Sequence, residues 1–500
     1  MPSRLDRIFA WAERHPAQVL LLLFLFSLLV RFVTAEYLMD GDNASKWMEA
    51  RRLAAGLGIS HWYNHSMRWA VILPLAGLIK LFGPNPLLTY VLPFTLASVA
   101  SVCICLIGEK IHSLKLGIAA SLLTTLLPLM VVTGSQIFPG VFELGFTALM
   151  VWLVMVWIDR RSSWLLVLAG VCFFLGWGAR VTELYTYPGI ILLIWLPTRD
   201  VKAVLLFTAV AAGLCFAEWG WFWWDSGNPM GRLGLLSATR GDHPDLPITL
   251  KNYLLQFVEL KKLKGLLPIA VLTLAASGAA LRDRDMRVRG LGALYLGCMF
   301  LVLYMISGVA PLKLALPYGA RYYPQMAPYG LLLLLYFLFK LKDRHRRTGI
   351  ALIAILFISF AGFSIKRIPP TNSLVQMSRD YALLRPVLAA DRPIVLVNEP
   401  WEPNFIEKIL IETFTNPARK KPRGDSSIRL DMSRDQERMG ALFLDDIGRY
   451  AQFINAPLVR VEKYRYILPS SNGGIESPAA ESVFGRKLHR AFPLPAKSDS

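Results

Sequence analysis

The feature that most constrains this chain is the way its apolar residues are grouped. From residue 17 to 365 they form blocks about 15 to 25 residues long with few charges, and every second turn between them is rich in Lys and Arg. A block of that length in lipid can satisfy its backbone amides only as a helix, because no water is present to bond them. Hydrophobic residues make up 54% of the 500 and charged residues only 18%, so the expected class is an all-α polytopic membrane protein. The first block, 17–33, follows Arg4, Arg7 and Arg14 as a signal peptide would. It is too long and lacks a small-residue cleavage site, so it is read as a retained helix.

Further spans are expected near 86–108, 115–133, 139–158, 163–179, 184–198, 201–223, 266–281, 290–309, 326–341 and 348–365, about eleven in all. Lys110 and Lys115, Arg160 and Arg161, Arg199 and Lys202, Arg282 to Arg289, and Lys340 to Arg347 fall in every second turn. The positive-inside rule makes those turns and the N-terminus cytoplasmic. The formal net charge of +19 therefore reports insertion rather than nucleic-acid binding. Met67 to Gly83 is assigned as a juxtamembrane helix, since counting it as a span would put the basic turns outside. Trp62, Trp69, Trp219, Trp221, Trp223 and Trp224 fit an aromatic belt at the outer surface. The five cysteines all lie in apolar blocks and read as small core residues.

The transmembrane domain is placed at 1–367. Beyond it the composition turns to Pro, Asp, Arg and Ser, with strand-like runs at 393–397 and 464–468, so 368–500 is expected to be a small external α/β domain whose last stretch, from Gly473, is partly disordered.

Chemistry is expected in the first external loop, 36–85, where Asp40-Gly41-Asp42-Asn43 puts two carboxylates at the membrane surface. Carboxylates there can take a proton from a hydroxyl or hold a divalent cation. Gln136, Glu143, Arg180, Glu183, Glu218, Asp225, Lys313 and Arg321 gather at the same ends of the spans. A transporter or flippase of a lipid-linked saccharide, the alternative function, would place such groups at mid-membrane in two matching halves. His61 and His65, four residues apart, would share a helix face; they read as a polar interfacial pair or as metal ligands.

The run from Asp42 through Ala50, Leu53, Gly56 and Gly58 to Leu81-Phe82-Gly83-Pro84-Asn85 resembles the GT-C glycosyltransferases, nearest to bacterial members using polyprenyl-phosphate sugars. Those members include the dolichyl-phosphate-mannose-protein mannosyltransferase-like and lipopolysaccharide-modifying branches. Ser135-Gln136-Ile137-Phe138-Pro139 and Arg321-Tyr322-Tyr323-Pro324-Gln325-Met326-Ala327-Pro328 resemble that superfamily's later external loops, and together the likeness covers about residues 17 to 340. It implies a hexosyl- or pentosyltransferase moving a sugar from a polyprenyl-phosphate donor to a glycolipid, polysaccharide or protein acceptor. It also implies a catalytic acid in the first loop, for which Asp42 matches best and Asp40 next. Asn43 replaces the second acid of the usual Asp-Glu pair, which leaves open which aspartate is the base and whether either holds a metal. Gly140 stands where many relatives carry an acid, and Glu143 could act in its place. On this likeness Arg321, with Lys313 and Arg180 behind it, would meet the leaving phosphate, and Tyr322 or Tyr323 the sugar. Eukaryotic-type mannosyltransferases share the Arg-Tyr and proline features, but their His-Lys-Glu is replaced by Tyr318-Gly319-Ala320. Asn43-Ala44-Ser45 and Asn64-His65-Ser66 of the first loop fit the glycosylation acceptor pattern, and a glycan on Asn43 would crowd the base, which favours a bacterial inner membrane with the site facing the periplasm.

Overall fold

The computed structural model describes residues 4–35, 41–58, 67–238, 266–303 and 325–366, with short pieces at 246–247, 306–309, 312–314, 368, 374–375, 378, 394–397, 442–445 and 465–467. It is a bundle of helices: α1 (Arg4–Arg14), α2 (Pro16–Val33), α3 (Gly41–Ala54), α4 (Trp69–Phe82), α5 (Val91–Ile111), α6 (Leu114–Leu126), α7 (Pro128–Thr133), α8 (Pro139–Arg160) and α9 (Ser163–Ala179). Then come α10 (Tyr187–Thr198), α11 (Val201–Ser226), α12 (Gly231–Ala238), α13 (Leu266–Ala280), α14 (Met286–Leu303), α15 (Ala327–Arg344) and α16 (Arg346–Lys366). A helix stands at each of the eleven places the apolar blocks mark. Five helices are long and apolar enough to cross a membrane unaided: Pro16–Val33, Leu87–Ile111, Pro139–Arg160, Val201–Ser226 and Arg346–Lys366. The chain is a multi-pass membrane protein.

Burial sorts the helices. In α2 the buried residues are Val19, Leu23, Ser27 and Arg31, one stripe at four-residue spacing that faces α5, while Leu21, Leu22, Leu25 and Leu29 are exposed. α8 is buried along nearly its whole length, against α5 and α9. α10 and α14 approach closely because each presents a glycine to the other: a Cβ on Gly189 would lie 2.5 Å from Leu294 Cα, and one on Gly290 3.0 Å from Leu193 Cα.

The structure corrects two expected spans. The block 115–133 is not one helix but α6 and α7, broken at Leu127, whose ψ of 124° leads into Pro128. Proline has no N–H for the carbonyl four residues back, and its ring disfavours a helical residue before it. Carbonyls left at the break find other donors: Arg31 Nη2 donates to Thr125 O at 3.0 Å and Ser364 Oγ to Leu126 O at 3.0 Å, while Arg31 Nη1 reaches across to Met130 O of α7. The block 290–309 ends as helix at Leu303. Ile306–Val309 is instead a strand, paired antiparallel with Leu312–Leu314, which also pairs with Leu246–Pro247. The juxtamembrane assignment of 67–83 corresponds to α4, which packs on α3 and α9 and buries Val71, Ile72, Leu75 and Ile79.

In the C-terminal region Ile394–Val397 runs parallel to Leu442–Asp445, which pairs antiparallel with Arg465–Ile467. The remainder of 368–500, including the stretch from Gly473, lies outside the described residues apart from the short pieces named above.

Candidate active site

Three segments singled out by sequence meet at one end of the bundle. α2 ends in Thr34, whose hydroxyl lies 2.9 Å from Ser135 Oγ in the short loop between α7 and α8. The next residue in that loop, Gln136, accepts a 2.8 Å hydrogen bond from Asn43 Nδ2 in the first turn of α3, and Asn43 Oδ1 accepts from Lys46 Nζ at 3.1 Å. This ties the helix that carries Asp42 to the loop that opens α8. Asn43, which breaks the expected acidic pair, is thus the residue that joins the two.

Pro139 starts α8, and its fixed φ suits the first helical position. One turn later the chain buries Glu143, at 1% exposure. Its carboxylate accepts from Thr182 Oγ1 and lies 4.0 Å from Arg180 Nη1, while the Arg180 guanidinium sits over the Phe138 ring at 5.9 Å. The amide end of Gln325 stands 2.5 Å from both Glu143 oxygens, a contact that fits only with the NH2 group turned to the carboxylate. Gln325 belongs to the Arg321–Pro328 stretch and Phe138 to the Ser135–Pro139 stretch, so both motifs converge on Glu143. Beside it Glu183 is wholly buried and accepts from Thr147 Oγ1 at 2.8 Å and Thr186 Oγ1 at 3.0 Å. Hydroxyls on α8 and on the 3-10 helix Val181–Thr186 supply those bonds.

A second buried network borders the first-loop helices. Glu218 of α11 lies 2.9 Å from Arg232 Nε of α12 and accepts from Trp69 Nε1 of α4 and Trp177 Nε1 of α9. Arg232 also donates from Nη2 to Trp177 O at 2.8 Å and stacks 4.8 Å over the Trp177 ring. Gly178 admits the Trp69 indole: a Cβ there would fall 2.2 Å from Trp69 Cζ2.

Of the residues expected in the site, Arg180 and Glu143 are brought together. Asp42 lies in the first turn of α3 and Lys313 in the strand Leu312–Leu314, each with only its backbone described; Asp40, His61, His65, Arg321, Tyr322 and Tyr323 lie outside the described residues. Among the described residues no three His, Cys, Asp or Glu side chains group as a metal would need.

No protein-family model matches the chain, and no curated protein matches it in sequence. Solved structures do. ArnT from Cupriavidus metallidurans bound to undecaprenyl phosphate is similar with a TM-score of 0.55 at 11% identity, over 90% of this chain and 98% of ArnT. The apo state of the same protein matches with a TM-score of 0.51 at 12% identity, over 89% of this chain and 96% of that one. The chain shares the fold of ArnT. The apo oligosaccharyltransferase of Archaeoglobus fulgidus is also similar, at 12% identity and a TM-score of 0.48, over 82% of this chain and 61% of its own.

Two buried arginines outside the expected site residues hold this end of the fold together. Arg31 sits in the first apolar block, 1% exposed, with carbonyl oxygens as its bonded partners. Its signal was present, since an arginine inside a span is costly enough to need a task. That task is bonding the broken helix just before the Ser135–Pro139 loop. Arg232 gave no signal, because it opens a long loop where a basic residue is unremarked.

Proposed function

We propose that this protein transfers a sugar from a polyprenyl-phosphate donor to a hydroxyl acceptor at the membrane surface, with Asp42 as general base. The reading is carried by the convergence of the α3 helix, the Ser135–Pro139 loop and Gln325 at one end of a GT-C fold. Its support from a neighbour is that ArnT of the same fold was solved with undecaprenyl phosphate.

The chemistry accounts for the residue types. A lipid phosphate is already a good leaving group, so no general acid is required. As the acceptor oxygen bonds to the anomeric carbon it must lose its proton, which a carboxylate accepts, while the bond from that carbon to the phosphate oxygen breaks. Negative charge then grows on the departing lipid phosphate. Arg321 is assigned to hold it through paired hydrogen bonds, with Lys313 as the next candidate and Tyr322 or Tyr323 on the sugar. Arg180, engaged with Glu143, is assigned to shaping the site wall.

Purified Arg321→Lys is expected to lose turnover strongly with a polyprenyl-phosphate sugar, because lysine keeps the charge but not the fork. The loss should fall mainly on kcat, since the phosphate gains charge as the bond breaks. Unchanged kcat and KM would return Arg321 to an interfacial anchor.

The proposed orientation puts the N-terminus in the cytoplasm of a bacterial cell and the site in the periplasm. An impermeant thiol reagent added outside should then modify Ser470→Cys and spare Arg284→Cys; the reverse pattern refutes it. Mass spectrometry of envelope glycolipids and glycoproteins from cells with and without the protein would identify the sugar and the acceptor together.

A further inference from the structure

The end of the bundle opposite the proposed site carries a feature that sugar transfer does not use. The turn joining α13 to α14 and the turn joining α15 to α16 hold nine Lys and Arg against three Asp, counting 281–289 and 340–347. The two turns lie side by side: Asp283 Oδ2 is 2.7 Å from Lys340 Nζ and accepts from Tyr336 OH at 3.2 Å. α13 packs on α15, and α15 on α16. The acids are taken. Asp283 serves Lys340, Asp285 Oδ1 accepts from Arg287 N at 2.8 Å, and Asp343 stands 4.0 Å from Lys342 and 3.9 Å from His112. Arg287 pairs with Asp159, and Arg289 donates from Nε to the Asp283 carbonyl. Arg282, Arg284, Arg344, Arg346 and Arg347 remain, all exposed. Arg282 and Arg284 flank Asp283, which holds Lys340, and Arg344 follows Lys340 by about one helical turn, so the paired turns bring the five to the same end of the bundle.

What adjoins the patch defines its ligand. Leu281 is exposed next to Arg282, and Ile350 is exposed one turn from Arg346. Along α16 the exposed side chains continue through Ile355 and Ile358, and along α13 through Val271 and Leu272. A partner that satisfies both surfaces has an anionic head joined to acyl chains. An acidic protein or a free anion would leave the apolar helices beside the arginines uncovered. Planar guanidinium forks match phosphate oxygens two at a time. We propose that the paired turns hold the headgroup of an acidic phospholipid of the bilayer, its chains lying along α13 and α16.

Native mass spectrometry of the full-length protein in detergent tests this, with phosphatidylglycerol and phosphatidylcholine as competing probes. Wild type is expected to retain phosphatidylglycerol about tenfold better, as a few basic residues near one headgroup provide. Neutralising Arg344, Arg346 and Arg347 to Gln should abolish that preference, whereas Arg160→Gln with Arg161→Gln, in a separate turn, should keep it. If the Gln variant fails to insert, replacing all five arginines by Lys preserves the insertion signal, and the preference should then fall measurably through loss of the forks. Equal retention of the two lipids by wild type overturns the proposal. So does an undiminished preference in the five-Lys variant, equal loss in the Arg160/Arg161 control, or displacement of the bound lipid by inorganic phosphate or an acidic peptide.

Discussion

Asp42→Asn is expected to lower sugar transfer by about 10²- to 10⁴-fold, the range a positioned general base supplies, while the protein inserts and folds as before. Asparagine keeps the size of the side chain and its place in the first turn of α3, where a polar residue suits the helix start. It cannot accept the acceptor's proton. Asp40→Asn should be milder. The comparison is made with purified proteins and a polyprenyl-phosphate sugar, with turnover followed at saturating donor. If Asp40→Asn is the crippled variant and Asp42→Asn is not, the two aspartates exchange roles; if both turn over normally, the first-loop mechanism is wrong. Asn43→Ala offers a finer check of the geometry. It removes the bond to Gln136 and should reduce kcat without removing the base, because α3 is then held less firmly against the α8 entrance.

The largest effect on stability is expected at the Glu218–Arg232 pair. Both side chains are nearly fully buried, and each is the other's charge partner. Removing one partner of a buried pair leaves an uncompensated charge, a loss of about 3–5 kcal/mol, so Arg232→Ala and Glu218→Ala should each sharply lower the unfolding temperature in detergent. Arg232→Ala also exposes the junction of α12 with the Met67 and Trp177 carbonyls, and Glu218→Ala strands the Trp69 and Trp177 indole N–H groups. The double variant should be less damaged than the two losses added together, because the second substitution removes a charge that the first had already orphaned. Additive losses in thermal unfolding would mean that the two residues act separately.

The class and the placing of the helices were legible in the order of the residues. Apolar blocks long enough to cross lipid have one way to satisfy their amides, so α2, α5, α8, α11 and α16 could be located from composition and turn charge. The local motifs were legible for the same reason: Pro139 at a helix start and the Arg321–Pro328 stretch before α15 are signals carried by neighbours in the chain. Tertiary structure alone decided which ends meet. Asn43 and Gln136 are 93 residues apart, and Glu143 binds Thr182 and Gln325 from two other parts of the chain. No spacing rule announces such pairs, because in a bundle they depend on which helices pack together. The break at Pro128 could be read locally. Its repair by Arg31 and Ser364 could not, since the carbonyls it frees are bonded by residues 94 positions before Thr125 and 238 after Leu126. Membrane helices form one at a time from local energetics, but buried polar groups must find partners across the bundle, and that requirement is settled only when the helices are packed.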